Sequence, residues 1–181
     1  MKKSVLDIED VLLLKPHIIN DERGYFFESY NNRTFSEVTG LNYEFVQDNQ
    51  SFSKKGVLRG LHYQLPPYDQ GKLIRVIEGE VFDVAVDIRK KSKTFLKWIG
   101  VQLSAENHNQ LWIPSGFAHG YLVTSENACL SYKTTNYYSS AHERTIIWND
   151  KTINIKWPNF ENLIISEKDR QGLSFQNSEI F

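Results

Sequence analysis

The chain contains only one cysteine, Cys129, in 181 residues, so it cannot form an internal disulfide. Because disulfide-stabilised scaffolds belong to oxidising compartments, this composition favours a reducing one, and we expect a cytoplasmic protein. Long apolar runs are also missing. The run near the N-terminus, Val11–Leu14, spans four residues, whereas a membrane helix needs roughly 20 and a signal peptide needs a longer run and a cleavage site. We therefore expect neither export nor a membrane anchor.

An excess of either charge is absent too. The sequence has 21 Lys and Arg residues against 22 Asp and Glu residues, a formal net charge of −1. A protein that binds nucleic acid needs a basic surface to neutralise phosphates, so we expect no nucleic-acid partner. Apolar residues make up 40% and charged residues 24%, as in folded globular proteins. Without linkers or internal repeats, residues 1–181 are predicted to form a single domain.

What the sequence does have is a two-residue alternation, rich in β-branched and aromatic residues, which predicts β-strands. The alternation is clearest at 43–49, 81–88 and 153–157. Further strands are predicted near 11–19, 24–30, 57–65, 72–78, 99–103, 110–113, 119–124 and 129–138. Turn signals separate several of these strands, among them 78–80 and 125–127.

Only two short segments have helical character. They are Arg33–Val38, ended by Gly40, and Ser166–Arg170, ended by Gly172. Many short strands with few helices indicate an antiparallel sandwich or barrel, and we favour an all-β jelly-roll barrel. Alternate residues of each strand would converge in its bore, which is a natural place for a small molecule.

Polar side chains interrupt several strands that should be buried. The group of interest is Arg59, His62, Lys72, His119 and Tyr132. Each one alone has an ordinary structural explanation, such as a lysine stem that reaches to water. Burying all of them on neighbouring strands is costly unless they serve a common site.

Strict alternation places Arg59 and His62 on opposite faces of one strand. A bulge at Gly60, which lies between them, would bring both side chains to the same face. Without such a bulge, one of the two is not a site residue.

A barrel with two histidines raises the question of a metal. The run Pro114–His119 resembles the second motif of the cupin superfamily, whose histidine is a metal ligand. The first cupin motif has His-x-His and then Glu, but this chain has His62-Tyr63-Gln64, and Lys72 falls about where the Glu should be. Because two of four ligands are missing and an ammonium group would repel a cation, we expect no bound metal.

Longer motifs cover most of residues 20–172. They are FVQDN (45–49), KGVLRGLHYQ (55–64), QGKL (70–73), GEVFDVAVD (79–87), LSAEN (103–107), QLWIP (110–114), GFAHG (116–120), WND (148–150) and KD (168–169). Together they resemble the dTDP-4-dehydrorhamnose 3,5-epimerase family of cupins.

The resemblance implies a cupin jelly roll that acts as a homodimer, with N-terminal strands exchanged between subunits. It implies inversion of C3 and C5 of dTDP-4-dehydro-6-deoxy-D-glucose to give dTDP-4-dehydro-L-rhamnose, without a cofactor. His62 matches the family's general base, Asp169 its orienting partner and Tyr132 the general acid. Tyr138 matches the aromatic residue that stacks on thymine. The remaining substrate contacts of the family match Arg23, Glu28, Gln47, Asn49, Arg59, Lys72, His119, Glu143 and Lys168.

The implied chemistry suits these residue types. Both protons lie next to the C4 ketone, so removal of either gives an enolate, and no redox cofactor is needed. An imidazole changes its protonation near neutral pH and suits the base, with a carboxylate on its second ring nitrogen to orient it. Lys72 and Arg59 would place positive charge beside the enolate oxygen. Arg23, Arg59 and His119 would supply donors for the pyrophosphate.

Two other functions remain open at this point. One is a relative that inverts a single carbon or uses another nucleotide 4-keto sugar, because small changes in pocket shape separate these reactions. The other is a non-catalytic sugar-nucleotide-binding module. A binding module has no need of both an acid and a base, so the joint presence of His62, Asp169 and Tyr132 favours an enzyme.

Overall fold

The computed structural model describes all residues, 1–181. Its strands are β1 (Lys2–Val5), β2 (Leu12–Lys15), β3 (Ile19–Asp21), β4 (Gly24–Phe26), β5 (Gln47–Lys54), β6 (Val57–Gln64), β7 (Lys72–Asp87), β8 (Trp98–Ser104), β9 (Gln110–Ile113), β10 (Phe117–Thr134), β11 (Glu143–Thr145) and β12 (Ile164–Ile165). Its helices are α1 (Asn32–Thr39), α2 (Glu167–Arg170) and a 3-10 turn (Phe175–Asn177).

Ten of these strands form one sheet, whose central path runs β1-β2-β9-β7-β10-β6-β11. Strands β5, β8 and β12 pair with β10, β7 and β6. All pairs are antiparallel except β12 with β6, and β3 and β4 form a separate hairpin. The predicted all-β antiparallel jelly-roll barrel with a few short helices is confirmed.

The two longest strands, β7 and β10, were each predicted as two strands with a turn between them. Those turns, at 78–80 and 125–127, are wrong, because each strand continues and the extra residues are absorbed by register shifts. Gly79 has φ +75°, and a Cβ at this position would lie 1.9 Å from the Asn127 carbonyl oxygen. A turn-type residue in the sequence therefore marks a bulge that fits closely against the neighbouring strand.

Several other predicted strands are shortened or missing. The strand predicted at 24–30 ends at Phe26, and the one predicted at 129–138 ends at Thr134. The segment 153–157 alternates between more and less buried side chains but has no pairing partner, and Asn154 adopts a left-handed φ of +53°. Residues 43–46 lie outside any strand, although the Val46 N–H donates to the Thr134 carbonyl at 3.0 Å, so the predicted strand starts only at Gln47. Strand β2 ends at Lys15, next to Pro16, which lacks the N–H that a further ladder bond requires.

Both predicted helices are present, and each is capped by a polar side chain. The Asn31 side chain accepts a hydrogen bond from the Thr34 N–H at the start of α1, and Gly40 ends that helix with φ +76°. Ser166 accepts from the Asp169 N–H at the start of α2. This cap matters for the site, because α2 carries Lys168 and Asp169.

The largest apolar cluster fills the interior between the central strands. It includes Ile74, Leu111, Tyr121 and Leu130, and Tyr132 packs against it. The polar cavity described below therefore lies beside a firm apolar core.

Candidate active site

A bulge in β6 places Arg59 and His62 on one face of the sheet. The Cα of His62 pairs with that of His119, and Arg59 pairs with Tyr121, so three steps along β6 match two steps along β10. His119 and Tyr121, two residues apart in a strand, share a face, and their partners share it too. Gly60, with φ +129°, lies at this irregularity. The glycine bulge considered from the sequence is thus present.

His62 and Asp169 form a hydrogen-bonded pair. The Asp169 carboxylate, on a residue only 2% exposed, accepts from His62 Nε2 at 2.6 Å through Oδ1 and from the Gly60 N–H at 3.2 Å through Oδ2. Burial acts to raise the pKa of Asp169, but the contacts with His62, Gly60 and Ser166 outweigh it and lower the pKa. Asp169 is therefore an ionised acceptor that fixes the ring.

This arrangement decides which ring nitrogen of His62 can react. Nε2 is engaged by Asp169, and Nδ1 makes no hydrogen bond to protein. The side chain is partly exposed and lines a cavity. Because the carboxylate holds the proton on Nε2, the lone pair of Nδ1 is free to accept a proton from a bound molecule.

The cavity beside His62 has a volume of about 140 Å³. Its lining residues are Gln47, Asn49, His62, Tyr63, Gln64, Gln70, Lys72, Tyr132, Tyr138 and Glu143. Larger cavities lie beside the N-terminal hairpin and along 148–163, but neither contains a hydrogen-bonded pair of histidine and carboxylate. The small cavity is therefore the candidate active site.

Lys72 and Tyr132 are brought together by the pairing of β7 with β10. Tyr132 pairs with Ile74 and Thr134 with Lys72, so both side chains lie on the same face. Burial lowers the pKa of Lys72 to about 8, although the charges of Asp83 and Glu143 oppose the shift. Burial also raises the pKa of Tyr132, which is a neutral phenol at neutral pH. The site thus holds an ammonium group and a proton donor side by side.

Tyr138 and Glu143 form one wall of the cavity, and Lys168 pairs with Glu143 without lining it. Glu143 accepts a hydrogen bond from the Tyr138 hydroxyl at 2.9 Å and pairs with Lys168 Nζ at 2.5 Å. Burial opposes ionisation of Glu143, but these two contacts lower its pKa. The bond to Glu143 raises the pKa of Tyr138, whose ring is otherwise exposed. An accessible aromatic face is the result.

The opposite end of the wall is held by Gln47 and Asn49. Gln47 Nε2 donates to Asn49 Oδ1 at 2.9 Å, and Gln47 Oε1 accepts from the Tyr138 N–H at 3.0 Å. The two residues are two positions apart in β5, so both side chains lie on the face that lines the cavity.

Arg59 and His119, which were also singled out from the sequence, do not line the cavity. Arg59 is exposed and donates to Ser53 Oγ at 3.1 Å. His119 is 8% exposed, and its Nε2 lies 3.0 and 3.1 Å from the two carboxylate oxygens of Asp83. Because Asp83 engages Nε2, only Nδ1 of His119 is left for the expected contact with pyrophosphate.

Arg23 and Glu28 are not brought to the cavity within the single chain. Arg23 sits at the tip of the β3–β4 hairpin and pairs with Asp21, while Glu28 accepts from the Asn31 side chain at 3.0 Å. Neither residue lines the cavity of its own chain.

Sequence reasoning assigned no role to three lining residues, Tyr63, Gln64 and Gln70. A signal for Gln64 was available, since it replaces the second histidine of the first cupin motif. The structure contains no group of three or more His, Cys, Asp or Glu side chains able to hold a metal ion. None of its helices has the length and apolar character needed to cross a membrane.

Comparison with known proteins agrees with this geometry. The model of the family described as dTDP-4-dehydrorhamnose 3,5-epimerase matches residues 5–177. A protein of that name from Shigella flexneri is 59% identical over 175 residues, covering 97% of this chain and 96% of its own length. One from Pseudomonas aeruginosa is 54% identical over 181 residues, covering 100% and 99%.

Solved structures extend the comparison. An epimerase from Legionella pneumophila in complex with dTDP-4-keto-L-rhamnose superposes with a TM-score of 0.95, at 46% identity over 98% of this chain and 94% of the other. A 3'-monoepimerase from Streptomyces bikiniensis in complex with dTDP-quinovose has a TM-score of 0.89, at 29% identity over 97% and 88%. This chain therefore belongs to the dTDP-4-dehydrorhamnose 3,5-epimerase family.

Proposed function

We propose that this chain converts dTDP-4-dehydro-6-deoxy-D-glucose to dTDP-4-dehydro-L-rhamnose by inverting C3 and C5. The observation that carries the proposal is a single cavity that holds a carboxylate-oriented histidine, a lysine and a neutral tyrosine. These are the groups that an epimerisation through an enolate needs, and a mere binding site does not need them.

The first step uses His62. Nδ1 takes the proton from the carbon next to the ketone, the C–H electron pair forms the C=C bond, and the C4 carbonyl pair moves onto oxygen. The resulting imidazolium is stabilised by Asp169. The ammonium of Lys72 stabilises the enolate oxygen, in a site where burial strengthens the interaction.

The second step uses Tyr132. The enolate carbon takes the phenol proton from the face opposite His62, the C4 carbonyl re-forms, and the phenolate recovers a proton from solvent while His62 loses its own. The nearby charge of Arg59 acts to lower the pKa of Tyr132 and so favours the phenolate. The same pair of steps at the second carbon completes the reaction, and no electron is transferred.

The nucleotide is assigned to the wall beside the sugar site. The exposed ring of Tyr138 offers a stacking surface for thymine, and Gln47, Asn49, Glu143 and Lys168 supply donors and acceptors around it. Arg59 and His119 lie on the adjoining strands. The cavity of about 140 Å³ in one chain is too small to enclose a whole nucleotide sugar. We infer that residues outside this chain's own cavity complete the binding site.

A homodimer supplies those walls in our proposal. The β3–β4 hairpin pairs only with itself, and it exposes Ile19, Tyr25 and Phe26, the last at 67%. An exposed apolar hairpin is typical of a surface that another subunit covers. We assign Arg23 and Glu28 to the partner's site. We also propose that residues 1–181 act as one domain in the cytoplasm, where a free thiol such as Cys129 stays reduced.

Turnover in deuterated water, followed by NMR, tests the reaction. We expect deuterium at both C3 and C5 and a product with both centres inverted. Exchange and inversion at a single carbon would instead assign the chain to the monoepimerase type of the Streptomyces bikiniensis neighbour. Binding of the nucleotide sugar without exchange at either carbon would favour a binding module.

Mixed dimers test the subunit arrangement. Chains with Arg23→Ala and chains with His62→Asn are each expected to be nearly inactive. If Arg23 serves the partner's site, co-refolded heterodimers contain one intact site and recover activity. If Arg23 serves its own chain, no mixture recovers, and the exchanged-hairpin assignment fails.

A further inference from the structure

The side chain of Gln64 joins two loops that border the candidate site. One loop follows β6 and leads to Lys72, and the other follows β10 and carries Tyr138. Gln64 is 5% exposed, so its amide is removed from water and must find its hydrogen bonds in protein. All three of its bonds go to backbone groups of these loops.

The bonds converge on the peptide groups that flank Tyr138. Gln64 Nε2 donates to the Tyr137 carbonyl at 3.1 Å, and Gln64 Oε1 accepts from the Ser139 N–H at 2.7 Å. The second N–H of the amide donates to the Tyr68 carbonyl at 2.5 Å, which ties the other loop to the same point. Only a group with both donors and an acceptor can make this set of bonds.

Tyr138 has few contacts other than the two bonds from Gln64 to its flanking peptide groups, which we call the Gln64 clamp. Its own N–H donates to Gln47, and its hydroxyl donates to Glu143, but its ring is exposed and has no packing partner among the aromatic residues. The position of the ring is therefore set by its hydroxyl bond to Glu143 and by the backbone at 137–139. Gln64 holds that backbone on both sides.

We propose that Gln64 is a positioning residue, which fixes Tyr138 for contact with the nucleotide base. The inference rests on the proposed function. It also explains why a glutamine occupies the place of the second cupin histidine: the position holds a substrate-binding loop where a metal-binding relative would hold its ion. An imidazole there would offer one donor and one acceptor and would leave a buried backbone group unpaired.

Gln64→Met, which keeps the volume and removes the amide, tests this role, with Gln110→Met as control. Gln110 is also a buried glutamine, and its amide donates to the Ser29 carbonyl. Amide hydrogen exchange, which needs no ligand, is expected to speed up at Tyr138 and Ser139 in Gln64→Met alone. Parental exchange at both amides in Gln64→Met would overturn the inference, even if the proposed function held.

Titration with dTDP supplies the second measurement. Loss of the clamp is expected to raise the Kd about tenfold, since buried groups lose their partners. In a Tyr138→Ala background, Gln64→Met should then change the Kd little, because the two residues act through one contact. Full additivity would contradict action through Tyr138.

If Gln64→Met does not fold, Gln64→Glu, which keeps the acceptor and loses both donors, is measured in the same way. Failure of the parent chain to bind dTDP counts against the proposed function and leaves the exchange result standing.

Discussion

His62 and His119 face each other across β6 and β10, and each directs Nε2 at a different buried carboxylate, Asp169 for the first and Asp83 for the second. Only His62 lines the cavity. Burial lowers the pKa of His119 despite the charge of Asp83, and Lys72 and His62 add to that shift. His119 is thus a neutral ring at neutral pH, and His62 is the ring placed to exchange protons with a ligand.

Replacing His62 by Asn should abolish deuterium incorporation at C3 and C5 while the fold persists. Loss of a general base costs about 10²–10⁴-fold, and no other imidazole lines the cavity. Asp169→Asn should cost less, because it disturbs the orientation of the ring and leaves the ring in place. Exchange at the parental rate in His62→Asn would show that another group is the base.

Tyr132→Phe should separate exchange from inversion. The variant keeps the aromatic packing, His62 and Lys72, so it can form the enolate and return a proton from the original face. We expect solvent deuterium in the recovered substrate with little inverted product, as measured by NMR. Formation of inverted product at the parental rate would make Tyr132 a wall residue only.

Lys72 should give the enzyme an alkaline limit. With a pKa lowered to about 8, the side chain loses its charge as the pH rises through that value, so kcat should fall there. Lys72→Met should lose that limb and show a rate about 10²-fold lower. An unchanged alkaline limb in the variant would assign the limit to another group.

The lowered pKa of Lys72 also makes the free energy of unfolding depend on pH, and here a rise in pH is favourable. The unfolded chain, with a lysine pKa of 10.5, binds the proton more tightly than the folded chain between pH 8 and 10.5, so stability should rise with pH across that window. Urea unfolding of the parent and of Lys72→Met at several pH values measures the difference.

Chelation should leave the activity unchanged, since Gln64 and Lys72 replace two cupin ligands and Lys72 is an ammonium below its pKa of about 8. Elemental analysis should find no stoichiometric zinc, iron or manganese. Activity that disappears with a chelator and returns with one of these ions would contradict this reading of the ligand set.

Gly60→Ala should damage both stability and the site. A Cβ there would lie 2.6 Å from the Gly120 Cα, in a backbone with φ +129°. Gly24→Ala is the matched control, because its φ is +121° and no atom lies within 4 Å of the added carbon. Backbone strain alone costs about 1–3 kcal/mol, so the control should lose at most that amount in urea unfolding. If both variants lose the same free energy of unfolding, the close approach of Gly60 to β10 does not contribute to the loss in Gly60→Ala.

Local patterns predicted the strands that have apolar and polar sides, the two helices and the ends set by Gly40 and Ser166. They failed where pairing decides the outcome. The segment 153–157 alternates correctly but has no partner strand, and Gly79 has the composition of a turn yet lies within β7. A single sequence does not specify which segments meet, so such positions cannot be assigned from pattern alone.

The site was predictable to the extent that its residues match family motifs. His62 and Asp169 are far apart in sequence, and only the resemblance paired them before the structure brought them within 2.6 Å. The motif comparison marked Gln64 only as a missing metal ligand, and its hydrogen bonds to backbone groups have no sequence signature. The burial of His119 against Asp83 was not predictable either, since Asp83 lies on another strand.

The single turn of α2 holds Asp169 against His62 and Lys168 against Glu143. The segment around α2 is tied to the barrel on both sides. Before α2, β12 pairs with β6; after it, Leu173 exchanges backbone hydrogen bonds with Thr145 and Ile147, and the Phe175 N–H donates to Asp150. A single helical turn held by such local bonds still opens more easily than the long central strands β7 and β10. Activity therefore depends on whether this segment near the C-terminus is closed. We expect mild denaturant to abolish turnover at concentrations where the barrel is still folded.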